Sequence, residues 1–466
     1  MKQNSKEKIE SVLGKPEKNF FVNMLTRDIE LRDAVLDLLD NCVDGALRTR
    51  SKQLSDQDSF NGFWAKITLS KQKFVIEDNC GGIPWDIAKT YAFKMGKPYE
   101  FEKPEGTIGV VGIGMKRAIF KMGRRCYVHS NHEKDSFVVM IEPRWFDDTD
   151  NWDFPAARER SALKHHGTRI EISDLTNDTE QAFDEGSSLW ETFEVTVSEA
   201  YSYLIAKGFQ IFINGTLVKR KPFGLVFEKG ARKGEHLLPF VYIAKVDDVE
   251  VFFAAGYRSP LKSEEELDAE KEGSFAARDA GWTVVCNDRV VLSNDRTLKT
   301  GWGFGGVPNF HNQFSCIAGV VEFKAEDTRK LPLTTTKRSI DPGKDVYIVT
   351  LRKMQEATKH FTRNTNRWKG HESEIKKRFE QTDWLDLPEL KERAEQLSLR
   401  SIPGTRARQF KPELPEKTQI QTSRRISFVR PTKEIDRVSM HLFDEIREPR
   451  AVGETCFERI LDQTKK

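Results

Sequence analysis

Asp37 and Asn41 stand four residues apart in Asp37-Leu-Leu-Asp40-Asn41-Cys-Val-Asp44-Gly45-Ala46. An amide oxygen such as that of Asn41 is a hard ligand suited to Mg²⁺, which keeps waters and takes phosphate oxygens as further ligands. A carboxylate one turn earlier, Asp37, is placed to orient and polarise a water for attack on a terminal phosphate. Asp78 heads Asp78-Asn-Cys-Gly81-Gly82-Ile83 at the end of an apolar run. A buried carboxylate there accepts a proton from the exocyclic amine of adenine and rejects guanine, which presents a carbonyl. Gly106-Thr-Ile-Gly109-Val-Val-Gly112-Ile-Gly114-Met-Lys116 is a glycine loop whose backbone N–H groups can approach phosphate oxygens, with Lys116 and Arg117 adding charge. In Gly167-Thr168-Arg-Ile170 the Thr168 hydroxyl can hold a water near a base.

Each group needs an element to present it. Ala34, Val35, Leu38, Leu39, Cys42, Val43 and Ala46 recur at helical spacing and predict an amphipathic helix. Asp37, Asn41 and Asp44 then share its other face, with Asp40 beside them. The bland alternative is a solvated charged stripe. Lys73–Asp78 reads as a strand closed by a glycine turn, for which an ordinary Asx turn is the alternative. His166–Ile172 alternates like a half-buried strand. The glycine loop is no Walker loop, because no Gly-Lys-Ser/Thr follows at the right spacing.

Taken in order, Asp/Glu-x-x-x-Asn, Asp-x-Gly-x-Gly, Gly-x-x-Gly-x-Gly and Gly-Thr resemble the GHKL ATPases: gyrase B subunits, heat-shock chaperones, sensor histidine kinases, MutL and MORC proteins. Leu39-Asp40-Asn41 and Gly112-Ile-Gly114-Met-Lys116 are most similar to the MORC-like and MutL-like members. The resemblance implies an α+β chain with a Bergerat-type α/β sandwich ATPase domain, binding ATP with Mg²⁺. By that resemblance Asp37 is the water-activating residue, Asn41 the Mg²⁺ ligand and Asp78 the adenine reader. Gly82 belongs to the same turn as Asp78. Gly109, Gly112, Gly114 and Lys116 form the phosphate loop, and Thr168 completes the last motif. Two departures stand out: Asp37 replaces the usual Glu, and Cys80 occupies the first glycine position of Asp-x-Gly-x-Gly.

The resemblance further implies a β-α-β transducer-like domain that supplies a lysine to the γ-phosphate. Ile211–Val218 and Gly281–Leu292 read as hairpins and Gly319–Phe323 as a strand. The Thr-rich loop that follows ends in Lys337, the expected transducer lysine. The expected order is an N-terminal arm (1–20), an ATP-binding domain (21–185) and the transducer-like domain (186–343). A helical region (344–400), a basic linker (401–424) and a strand–helix–helix module (425–466) follow. That module resembles a ribbon-helix-helix unit in topology only, with a small helical cap as the alternative.

The 466 residues carry 75 basic and 72 acidic side chains, a net charge of +3, so no global basic character forces nucleic-acid binding. No apolar run spans a bilayer and no signal-peptide core opens the sequence, so a cytoplasmic protein without membrane contact is expected. Six cysteines without Cys-x-x-Cys spacing read as reduced thiols. The resemblance implies a homodimer clamped by ATP, acting on DNA, in phage defence or restriction. A chaperone-like remodeller of proteins and an ATP sensor that controls a partner effector protein are the alternatives. A histidine kinase needs a phospho-accepting His ahead of the pocket, and none precedes it here.

Overall fold

The structure is a computed structural model describing residues 17–50, 59–96, 112–133, 135–158, 163–230, 235–269, 279–334, 337, 339–416 and 426–464. Gly109 and most of the expected arm lie outside the described residues. The chain divides into two units, Met1–Glu416 and Lys417–Lys466.

In the first unit, an eight-stranded sheet has the order β5-β4-β3-β6-β2-β1-β7-β8. Its strands are β1 (Trp64–Leu69), β2 (Lys73–Asp78), β3 (Gly123–Asn131), β4 (Ser136–Ile141), β5 (Ala156–Arg158), β6 (Gly167–Leu175), β7 (Gln210–Ile213) and β8 (Thr216–Leu217). Helices α1 (Lys18–Arg27), α2 (Leu31–Thr49), α3 (Gly114–Met122) and α4 (Ser188–Ala200) accompany it. Val35, Leu39 and Val43 of α2, Ile119 of α3 and Ile76 and Ile172 of the sheet share one core. The period of 3.6 on the helices and of 2 on the strands brings these faces together.

The expected boundary at 185/186 falls inside this core. Phe193 and Val197 of α4, Tyr201 and Ile211 are buried in it, and β7 pairs in parallel with β1, Trp64 opposite Gln210. The hairpin at Asn214-Gly215 forms as read, both residues having positive φ. It extends the first sheet and not the second, because Ile211 and Val218 find their apolar partners there.

A seven-stranded sheet follows, ordered β13-β12-β14-β11-β10-β17-β16. It comprises β10 (Phe240–Val246), β11 (Val249–Tyr257), β12 (Gly281–Cys286), β13 (Arg289–Asp295), β14 (Ile317–Lys324), β16 (Arg400–Ser401) and β17 (Ala407–Phe410). The long helix α5 (Asp345–Arg367) lays Tyr347, Met354 and Phe361 into the same core as Phe253, Trp282 and Phe323.

Two expectations fail here. Residues 401–416 are not a linker: β17 pairs with β10, and Ala407 and Leu414 are buried. Pro412 and Pro415 follow this pairing, where a missing N–H costs no ladder bond, and their carbonyls accept from α5 and Trp368. Trp384 is not helical. It lies in β15 (Thr382–Asp386), which pairs with β9 (Gly224–Glu228). The helix begins only at Leu387, where Asp386 and Glu389 form a capping box.

The second unit holds helices α6 (Thr432–Phe443) and α7 (Pro449–Thr464). Of the expected strand Arg425–Val429, residues 426–429 pair with nothing among the described residues. In a ribbon-helix-helix unit this strand pairs with that of a second copy and not within one chain.

Candidate functional site

Helix α2 is the spine of the site, and its polar face is not a solvated stripe. Asp37, Asp40 and Asp44 are 3 %, 1 % and 6 % exposed, whereas Asn41 is exposed. Buried carboxylates persist only with partners, since an unpaired buried charge is costly. No Lys or Arg lies between Asp37 and Gly45, so the cations must come from elsewhere in the fold.

For Asp37 the cation is Arg117, on the first turns of α3, with Nη2 2.5 Å from Asp37 Oδ2. Close approach depends on Gly114: a Cβ there would meet Asp37 Oδ2 at 3.3 Å. The helix α3 starts at Gly114 with no side-chain cap, so its first N–H groups remain available to an anion. Gly112 just before it has φ +74°, a conformation that suits glycine. Lys116 turns elsewhere, donating to the carbonyls of Gly112 and Ala92. It ties the loop to the segment after β2, and Arg117 is the residue that meets the acidic face.

Asp78 ends β2 further along α2, 6 % exposed. Its Oδ1 accepts from the N–H of Cys80 at 2.8 Å and of Thr168 at 3.3 Å. Burial pushes the Asp78 carboxyl up from its ordinary value, opposed by those two N–H groups, the Cys42 thiol and His165. The turn after it is an Asx turn followed by Gly81 and Gly82, with φ +91° and +73°. Two left-handed glycines thus rebuild the turn despite Cys80. A Cβ on Gly82 would sit 2.4 Å from the carbonyl oxygen of Asn131. Gly82→Ala is therefore expected to cost more than about 1 kcal/mol, combining backbone strain with a fixed backbone neighbour. Thermal melting checks this, and an unchanged midpoint would mean the turn is not held as described.

Asp40 gathers the remaining partners. Arg289 Nε donates to its Oδ1 at 3.0 Å, and the Tyr201 hydroxyl lies 2.7 Å from the same oxygen. Lys337 Nζ donates to Oδ2 at 3.1 Å. Arg289 opens β13 of the second sheet, and Lys337 sits in the loop between β14 and α5. Lys337 has φ +57°, unusual for a residue with a side chain and frequent at functional positions. Burial works against the Lys337 charge, but Asp40, Asp37 and Asp44 more than offset it, so the ammonium stays protonated above the ordinary lysine range.

The structure thus joins Asp37, Gly114 and Arg117 at one point along α2, and Asp78, Gly82 and Thr168 further along it, where the Cys42 thiol meets Asp78. Asp37 and Cys42 are five residues apart, about 7.5 Å along the axis of α2. Arg289 and Tyr201 were not singled out by sequence. The one available signal was the absence of cations on an acidic helix face. The chain also matches a known family over this region.

Residues 29–171 match the histidine kinase-, DNA gyrase B- and HSP90-like ATPases.

The match supports ATP binding and hydrolysis by this domain and covers α2, the Asp78 turn, α3 and the start of β6. No curated protein matches the chain significantly. No helix among the described residues is long and apolar enough to cross a membrane. For Mg²⁺, no cluster of three or more His, Cys, Asp or Glu side chains among the described residues forms a cage. One exposed amide, Asn41, fits an ion that keeps waters and arrives with phosphates.

Proposed function

We propose that the chain is a Mg–ATP-dependent GHKL ATPase of the MORC-like or MutL-like kind. In this reading it closes as a homodimeric clamp on ATP, with the second sheet as the transducer. The observation that supports this best is the reach of Lys337 from the second sheet's loop to Asp40 on the nucleotide helix.

Asp78 accepts the adenine amine, and its acceptor character excludes guanine. Thr168 and the Gly81-Gly82 turn shape the base end. Gly112, Gly114 and the uncapped start of α3 receive the phosphates, with Gly109 in the same loop by resemblance. Asn41 would hold the Mg²⁺, which would neutralise phosphate charge. Asp37 orients the attacking water. Lys337 contacts the γ-phosphate only in the closed state, which gives ATP and ADP different affinities for the two states.

Lys337→Ala should spare ADP binding and weaken dimerisation driven by a non-hydrolysable ATP analogue. Sedimentation with the analogue and with ADP tests this. Equal dimer formation by wild type and variant with both nucleotides would remove the transducer role.

A DNA client, and with it phage defence, rests on the resemblance. Retention of duplex DNA by the analogue-closed dimer, falling steeply with salt, supports it. ATP-dependent retention of protein without DNA favours the chaperone-like remodeller. Nucleotide binding without turnover favours the sensor of a partner effector.

A further inference from the structure

We propose that Asp40 is the seat on which Lys337 is held before ATP binds, and that Arg289 is the positioning residue that lets Lys337 leave it. This rests on the reading of Lys337 as the γ-phosphate lysine and adds how its movement is gated.

The geometry of one carboxylate carries the argument. Asp40 is 1 % exposed and takes Arg289 and Tyr201 on Oδ1 and Lys337 on Oδ2. Breaking a buried ion pair is strongly unfavourable when it leaves a charge without compensation. Here the departure of Lys337 leaves Asp40 still held by a guanidinium and a phenol, so the carboxylate is not stranded. Among the described residues Lys337 makes its side-chain hydrogen bond to Asp40, while Asp37 and Asp44 act on it only through their charge. It can leave only for another anion, and a γ-phosphate supplies one where ADP does not. The exchange of counter-ion, from carboxylate to phosphate, is what distinguishes the two nucleotides.

Arg289 is built to stay while Lys337 moves. Its side chain is 2 % exposed. Its Nη1 donates to the carbonyls of Ala200 and Val290, and its guanidinium lies 4.4 Å from the Tyr201 ring centre. A planar fork fixed at several points holds its place, whereas a lysine on a flexible stem is a mobile point charge. Lys337 also comes from a loop tied by its own backbone bonds, Lys337 N–H to the Thr334 carbonyl and Thr334 N–H to Ser339. The same node joins three segments: α2 through Asp40, the first core through Tyr201, and the second sheet through Arg289.

The two roles predict effects of opposite sign. The measurement is the ratio of the dissociation constants for ADP and for a non-hydrolysable ATP analogue, by calorimetry on the full chain. Arg289→Met leaves Lys337 as the main cation on Asp40, holds it more tightly and lowers the ratio. Asp40→Asn releases Lys337 and raises the ratio. Both shifts should be at least about fivefold, the lower end of typical coupling between sites. If Asp40→Asn alone fails to fold because Arg289 is left without its anion, the double variant Asp40→Asn, Arg289→Met keeps the charge balanced. It too should raise the ratio, and adding Lys337→Ala should erase the rise. A purely structural node would lower the ratio in every variant or leave it unchanged, and either result overturns the proposal. Wild-type protein that binds neither nucleotide overturns the site reading and this inference together. Wild-type binding with unchanged ratios in the variants overturns this inference alone.

Discussion

Asp78→Asn leaves the fold intact and removes ATP binding by at least about 100-fold. The substitution is nearly isosteric, and its effect follows from which oxygen is already engaged. Oδ1 accepts from the Cys80 and Thr168 N–H groups, so the Asn oxygen takes that position. Its NH₂ then faces the adenine amine, donor against donor. A hydrogen bond to a charged group contributes roughly 1.5–3 kcal/mol, and a buried donor left unmade costs about 1–3 kcal/mol more. The unliganded variant should melt no lower than wild type, because burial already disfavours the Asp78 charge. The sign is definite. The folded carboxyl lies above its ordinary value, so the native state holds this proton more tightly than the unfolded chain does. Its contribution is present at low pH and is lost as pH rises through the folded value. Asn removes that dependence. Calorimetry showing unchanged ATP affinity would refute the base assignment, and melting across pH checks the linkage.

Asp37→Asn retains ATP and slows hydrolysis by about 10²–10⁴-fold, the usual loss when a water-orienting base is removed. The conservative variant is the right one, because an alanine would leave the partly buried Arg117 without its acceptor. Asn41→Ala should instead make binding insensitive to Mg²⁺. Single-turnover hydrolysis separates the cases. Wild-type rate in Asp37→Asn would place the base elsewhere, and no turnover in wild type would favour the sensor.

How much of this was legible depended on the range of the interaction. Helix α2, the Asn214-Gly215 and Asn287-Asp288 hairpins and the helix from 345 follow from local periodicity and turn chemistry and form at the residues read for them, although the first hairpin joins the first sheet. The order of the four motifs carried the family resemblance, and the match over 29–171 agrees with it. The partners of the acidic face were not legible. Arg117 and Arg289 lie 80 and 249 residues from their carboxylates, and no local pattern reports such a pair. The edge strand at 407–410 was hidden for a related reason. Its prolines and arginines read as a linker until β10 supplies hydrogen-bond partners. The boundary at 185 failed because β7 returns to β1 across more than a hundred residues.

That return has a consequence during synthesis. β1 is complete at Leu69, but β7, which covers its open edge, ends only at Ile213. At about 5–20 residues per second a ribosome takes roughly 7–30 s to make the intervening chain. Throughout that interval the nascent sheet presents β1, with Ala65, Ile67 and Leu69 that are later buried, as an unpaired edge open to other chains. A polypeptide released near residue 185 would keep that edge permanently, and it would lack Tyr201 and Arg289 beside Asp40. It should therefore associate through β1 even though every nucleotide motif is present.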